Sequence, residues 1–301
     1  MSYFAAPDPD CRPCEGVVEV IVRPGEKDLG GFSVRRVLPS GARRAVGPFV
    51  FFDHMGPAVF PPGEGIQVRP HPHIGLATLT YLFEGEIMHR DSLGYTQPIR
   101  AGAVNFMTAG KGIVHSERAG EDLDRASRLN GIQTWMALPE DAQEIDPAFM
   151  HYPAGQIPRL EVGRATVTVV MGSAFGATSP VQQHSPTLYL ELRLPAGETI
   201  ELSGEYSERA VYVVDGEIEV GGERCEGHTM AVLVAGPAAR ISARQRTRLI
   251  VVGGEPLGPR RMWWNFVSTS MARIDQARDD WQAGRFTSVA GDDEFIPLPE
   301  S

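Results

Sequence analysis

The chain has 301 residues, 42% of them hydrophobic and 22% charged, with a formal net charge of −10. That composition describes a globular protein long enough for two full cores, and its acidity excludes a general attraction to phosphate backbones or anionic membranes. No apolar run approaches the roughly 20 residues needed to cross a bilayer, and Met1 to Asp8 lacks the basic start and apolar run of a signal peptide, so a cytoplasmic protein with no nucleic-acid or membrane partner is expected.

Cys11-Arg12-Pro13-Cys14 is a CxxC motif isolated in a proline-rich stretch. It has neither the second ligand pair of a zinc site nor the strand-to-helix junction of a redox motif, and reads as two reduced thiols. Strand-like runs follow at 16–22, 32–38, 78–83, 166–171, 187–194, 209–214, 230–234 and 247–252, most separated by Gly, Pro, Asp or Asn. The arginines between Arg240 and Arg248 alternate as on the solvent face of a strand, and Cys225 sits in a polar hairpin. Helical periodicity is convincing only near the end, where Ile274, Ala277 and Trp281 share a face, Ser268, Thr269 and Ser270 are N-cap candidates and Gly284 is a stop.

The chain repeats itself. Tyr81-Leu82-Phe83-Glu84-Gly85-Glu86-Ile87 returns 131 residues later as Tyr212-Val213-Val214-Asp215-Gly216-Glu217-Ile218. Each copy reads as two strands joined by a tight hairpin turn, and each is followed by a Gly and an apolar strand ending in Ala-Gly, at 102–110 and 227–236. Two tandem copies of one β unit predict an all-β protein of two similar barrels with a short C-terminal helix, divided as residues 1–140 and 141–301.

Chemistry concentrates in the first copy. His71-Pro72-His73 and His115-Ser116-Glu117 each place two metal-ligand side chains at i and i+2, the spacing that puts both on one face of a strand. On strands of one barrel, His71, His73, His115 and Glu117 converge as three imidazoles and a carboxylate, a set suited to one first-row transition metal with coordination positions left open. The alternative is a group of hydrogen-bonded core histidines without metal. At the matching points of the second copy stand Leu202, Gly204 and Ile241, none of which binds a metal through its side chain, so that barrel is expected to be metal-free, with His184 and His228 as surface or hydrogen-bonding residues. Around the first site, His54 and His89 are candidates for the barrel mouth or interior, and Asp53 for orienting a ligand histidine or capping a turn. Phe51, Phe52, Met88, Phe106 and Met107 are candidates for lining a dry pocket or for ordinary core.

The run from Gly47-Pro48-Phe49 through Phe52-Asp53-His54, then His71-Pro72-His73-Ile74-Gly75, Tyr81-Leu82-Phe83-Glu84-Gly85 and Thr108-Ala109-Gly110-Lys111-Gly112-Ile113-Val114-His115-Ser116-Glu117 resembles the pirin family of bicupins. The likeness continues more weakly through Pro186 to Leu190 and Gly253 to Leu257. It implies two cupin barrels with one metal in the first, usually iron(II), with Mn, Co, Ni, Cu and Zn as alternatives, held by His71, His73, His115 and Glu117. Leu76-Ala77-Thr78 lacks the glutamate that some members keep at position 77, which leaves Glu117 as the carboxylate of the motif. For function, the resemblance implies cleavage of a flavonol such as quercetin with O2, a 2,3-dioxygenase reaction releasing CO, in which Glu117 accepts the proton of the 3-hydroxyl. It also implies an alternative, a non-enzymatic regulatory protein that depends on its metal to bind a protein partner.

Overall fold

Strands such as Glu86–Asp91 and Thr199–Leu202 bury every second residue, as a sheet with one face on a core requires. The computed structural model describes residues 12–13, 16–28, 32–120 and 123–299. Cys11 and Cys14 lie outside them. The fold consists of two compact units, each a cupin barrel built from a large and a four-stranded antiparallel sheet.

The units do not divide the chain at a single point near residue 140. One comprises Lys27–Val34, His54–Ala154 and Leu257–Ser301; the other comprises Met1–Glu26, Arg35–Asp53 and Gly155–Pro256. The reason is edge protection. The apolar strand Val18–Val22 pairs with Met230–Leu233 in the second barrel, whose sheet would otherwise expose that row of backbone groups. The segment from Leu257 onward returns to the first barrel, where Phe266 bridges to Ile74.

In the first barrel, the four-stranded sheet has the order Gln67–His73, Ile113–Ala119, Glu86–Asp91, Thr96–Arg100. The larger sheet includes, in order, Ala148–Tyr152, Val104–Thr108, Leu76–Glu84 and Ser127–Ala137. A core of Met55, Phe60, Ile66, Leu82, Ile87, Ile99 and Leu129 fills one end. The C-terminal helix spans Met271–Gln282 with Ser270 as its N-cap residue, although no side chain caps it. Ile274 and Ala277 are buried with Ile74 and Phe266, Trp281 packs against that group, and Gly284 follows the helix at φ +66.

The two expected hairpins are not hairpins. Leu76–Glu84 pairs with Val104–Thr108 and Ser127–Ala137, whereas Glu86–Asp91 belongs to the other sheet and pairs with Ile113–Ala119 and Thr96–Arg100. Gly85 is the corner at which the chain leaves one sheet for the other. It sits at φ +90, and a Cβ there would lie 2.1 Å from the Arg128 carbonyl oxygen. Gly216, at φ +89, makes the same move between Glu208–Asp215 and Glu217–Val220. The acidic-Gly signal marks a left-handed turn in both cases, and only the strand partners distinguish a corner from a hairpin.

The four-stranded sheet of the second barrel has the matching order Thr199–Leu202, Ala239–Ala243, Glu217–Val220, Glu223–Glu226. Where the first barrel opposes His71 to His115, the second opposes Ile200 to Ile241. The structural counterparts of the HxH pair are therefore Ile200 and Leu202, two residues earlier than the repeat suggested, and both are buried in an apolar core with Ile241. Cys225 lies in the hairpin of Glu217–Val220 and Glu223–Glu226, opposite Ile218, and its side chain joins that core.

Candidate metal centre

The site begins with register. On the strand Ile113–Ala119, His115 lies opposite Asp91 and Glu117 opposite His89, an uninterrupted i,i+2 step. On the other side His115 pairs with His71 but Glu117 pairs with Val68, so the strand carrying His71 holds an extra residue at the Arg69-Pro70 step. A bulge there is consistent with Pro70, which has no N–H to give a ladder.

His71, His73 and His115 meet inside the first barrel. All three are buried, and their ligand nitrogens lie within 4.8 Å of one another, which makes them the one cluster of metal-ligating side chains found among the described residues. His71 Nδ1 donates to the Arg69 carbonyl at 2.8 Å and His73 Nδ1 donates to the Asn265 carbonyl at 3.2 Å. A carbonyl can only accept, so both rings carry their proton on Nδ1 and present an Nε2 lone pair to the shared space. His73 Nε2 and His115 Nε2 are 3.1 Å apart. His115 Nδ1 is buried without a hydrogen-bond partner.

Burial is the leading cause that keeps the three rings neutral. It lowers His71 to about 4, partly opposed by the Arg69 carbonyl and aided by the neighbouring His89. His73 and His115 fall well below the ordinary histidine value for the same reason, with the charge of His71 as the next contribution. Three neutral, convergent imidazoles fit a transition metal, with Nε2 of His115 donating to His73 in the metal-free arrangement and its Nδ1 partnerless and able to carry the proton when Nε2 binds an ion.

Glu117 does not belong to the 4.8 Å cluster. Its Oε1 accepts from Gln133 Nε2 at 3.2 Å, and Gln133 Oε1 accepts from Thr80 at 2.6 Å. Loss of water around the carboxylate raises its pKa to about 7, against the smaller opposing effect of the Gln133 hydrogen bond.

The structure sorts the other candidates. His89 points inward, bonds Asp91 at 2.9 Å, stacks on Phe149 at 4.3 Å and lies 5.3 Å from the His115 ring. His54 instead bonds Asn130 at 2.8 Å beside Phe83. The Asp53 carboxylate receives two hydrogen bonds from Arg36, at 2.9 and 2.8 Å, in the second unit. Phe51 lies under Arg36, and Phe52 packs on Tyr212, again in that unit. Among the expected lining residues, Met107 shares the site's face, because it and Trp135 both oppose Thr78 and Trp135 meets His73 edge-on at 5.0 Å. Phe106 and Met88, one residue out of phase, point to the opposite faces of their strands.

Sequence reasoning missed Gln133 and Trp135, although their i,i+2 spacing was there to find. Asn265 acts through its carbonyl, which leaves no side-chain signal.

The Pirin family model matches residues 31–136, and the model of the pirin C-terminal cupin domain matches 189–287. A pirin-like protein of Caulobacter vibrioides is 48% identical over 288 residues, covering 94% of this chain and all of the relative. A candidate quercetin 2,3-dioxygenase of Pseudomonas aeruginosa is 40% identical, over 85% of this chain and 80% of its own. The crystal structure of a quercetin 2,3-dioxygenase from Acinetobacter baumannii superposes with a TM-score of 0.88 at 35% identity, over 95% of this chain and 96% of that one. The chain belongs to the pirin family.

Proposed function

We propose that this protein is a metal-dependent dioxygenase that opens the central ring of a flavonol such as quercetin, consuming O2 and releasing CO with a depside product. The observation that carries the reading is the meeting of three neutral, buried imidazoles inside the first barrel, with the desolvated carboxylate of Glu117 two residues beyond His115 on the same strand. Held by His71, His73 and His115 with Glu117 as a further donor, a divalent transition metal, iron(II) foremost, would supply the positive charge that favours an enolate over an enol and the redox chemistry that O2 requires.

The protein's own contribution is proton handling and shape. In this reading the desolvated carboxylate of Glu117 is the group that accepts the 3-hydroxyl proton. Gln133 holds Oε1 of Glu117 and so fixes where that proton goes. Met107 and Trp135 on one sheet and the stacked pair of His89 and Phe149 give the site flat, apolar walls suited to an aromatic substrate.

The test is aerobic turnover of quercetin and other flavonols by protein reconstituted separately with Fe(II), Mn(II), Co(II), Ni(II) and Cu(II), following O2 uptake and CO release. Stoichiometric CO with any of these metals supports the proposal. No turnover with every fully loaded form overturns it and moves the assignment to a metal-dependent regulatory protein.

A further inference from the structure

The triplet His71-Pro72-His73 lies on the edge strand of its sheet and is held at both ends by the C-terminal segment. On one side the Ile296 N–H donates to the Pro70 carbonyl at 2.8 Å; on the other the Val267 N–H donates to the Ile74 carbonyl at 3.2 Å. Between these anchors the Asn265 carbonyl receives the Nδ1 proton of His73. An edge strand with a bulge has no second neighbour to fix its backbone, and here residues from the far end of the chain take that place.

The contact is built rather than incidental. Asn265 lies in the two-residue turn between Arg261–Trp263 and Phe266–Ser268, where Trp264 adopts φ +50. A tryptophan held in the left-handed region is strained, and surrounding structure must sustain that strain. Gly75 leaves no space between the two segments, since a Cβ there would lie 2.0 Å from the Val267 carbonyl oxygen. The tail beyond the helix is anchored independently. Arg118, next to Glu117, donates to both carboxylate oxygens of Asp292 at 3.0 and 2.6 Å, and Trp281 Nε1 donates to the Ile296 carbonyl at 3.0 Å.

We propose that residues 264–296 form a clasp that sets the metal affinity and coordination geometry of the His71–His73 pair, with Asn265 and Ile296 as positioning residues. Groups that orient a ligand histidine typically change metal affinity 10- to 100-fold when lost. Coupling of this kind is reciprocal, so metal binding tightens the clasp by the same factor that the clasp tightens metal binding. The proposal rests on the histidine cluster binding a metal and is independent of the flavonol reading.

The experiment uses the full-length chain with Co(II) as the probe. Ile296→Pro removes the N–H that reaches Pro70, whereas Ile296→Ala keeps it. Ile296→Pro should weaken Co(II) binding at least about tenfold and change the visible ligand-field spectrum of the bound ion, and Ile296→Ala should change neither. In the wild-type chain, Co(II) should slow amide hydrogen exchange at Ile296 and Val267, a readout that needs no substitution. Unchanged affinity and spectrum in Ile296→Pro, or unchanged exchange at both amides on metal loading, each overturns the clasp. If Ile296→Pro does not fold, the exchange measurement decides. A wild-type chain that binds no Co(II) overturns the metal site and the clasp with it, whereas a chain that binds Co(II) normally but cleaves no flavonol leaves the clasp standing and rejects only the catalytic assignment.

Discussion

Nε2 of His73 and Nε2 of His115 face each other across 3.1 Å, and because His73 keeps its proton on Nδ1 for the Asn265 carbonyl, His115 is the ring that donates between them. Burial keeps all three rings neutral, so a metal bound at the proposed site would have to displace only the His115 Nε2 proton, for which the partnerless Nδ1 is free. His71→Ala or His115→Ala should therefore abolish stoichiometric metal in the purified protein while leaving the strand content seen by circular dichroism. Elemental analysis of the wild type should find one metal per chain. Two would contradict the apolar Ile200–Ile241 pair that takes the equivalent place in the second barrel.

Burial of neutral histidines makes the metal-free protein sensitive to acid. The unfolded chain takes up protons at an ordinary histidine value of 6.5, whereas His71 resists them down to about 4 and His73 and His115 are lowered in the same direction. The unfolded state thus binds more protons than the folded one below 6.5, and stability falls as pH falls through that window. Glu117 acts oppositely. Its folded pKa of about 7 exceeds the ordinary 4.5, so its contribution is full below 4.5 and is lost as pH rises toward 7. Three histidines outweigh one glutamate, and urea unfolding of the metal-free protein should show a net loss of stability from pH 6.5 to 5. A flat or rising profile would mean that the rings are hydrated in solution.

Glu117→Gln keeps size and an oxygen donor but loses charge and basicity. Reconstituted at high metal concentration, this variant should retain much of its metal yet bind the enolate poorly and turn over slowly, by roughly 100-fold or more if the carboxylate is the base. Turnover near the wild-type rate would reduce Glu117 to a ligand.

Gln133→Leu removes the hydrogen bond that holds the Glu117 pKa down. The acid limb of the kcat/KM profile should then move to higher pH. A profile unchanged in position but lower in height would show that Gln133 orients the carboxylate without tuning it.

Gly85→Ala should cost about 2–4 kcal/mol in unfolding free energy, from a left-handed turn combined with a methyl pressed onto the Arg128 carbonyl. Gly63→Ala is the control. Its φ is +86 but nothing lies within 4 Å of the added methyl, so the cost should stop at about 1 kcal/mol. Equal losses in the two variants would remove the case for Gly85 as a close-packed corner.

The legible parts of this protein were those encoded by side-chain parity. His71 and His73, and His115 and Glu117, announce their strands by spacing alone, and the Gly85 and Gly216 repeats announce two similar barrels. What was not legible depends on partners distant in sequence. Whether Glu84-Gly85-Glu86 closes a hairpin or turns a corner is decided by the strands that receive Leu76–Glu84 and Glu86–Asp91. The hydrogen bond to Glu117 comes from Gln133, which lies on another sheet. The carbonyl of Asn265, 192 residues from His73, carries no residue-type signature at all.

The exchange of chain ends between the units also has a temporal side. Synthesis runs from the N-terminal side, and domains ordinarily fold as they leave the ribosome, N-terminal first. Here the histidines emerge early, but the partner of His73 and the donors to Pro70 and Ile74 all lie beyond Leu257. A nascent chain halted at Pro256 holds every imidazole of the centre and none of its C-terminal supports. The main run of the first barrel, His54–Ala154, is thus translated before that of the other, Gly155–Pro256, and yet this barrel is the last to be completed, because Leu257–Ser301 belongs to it.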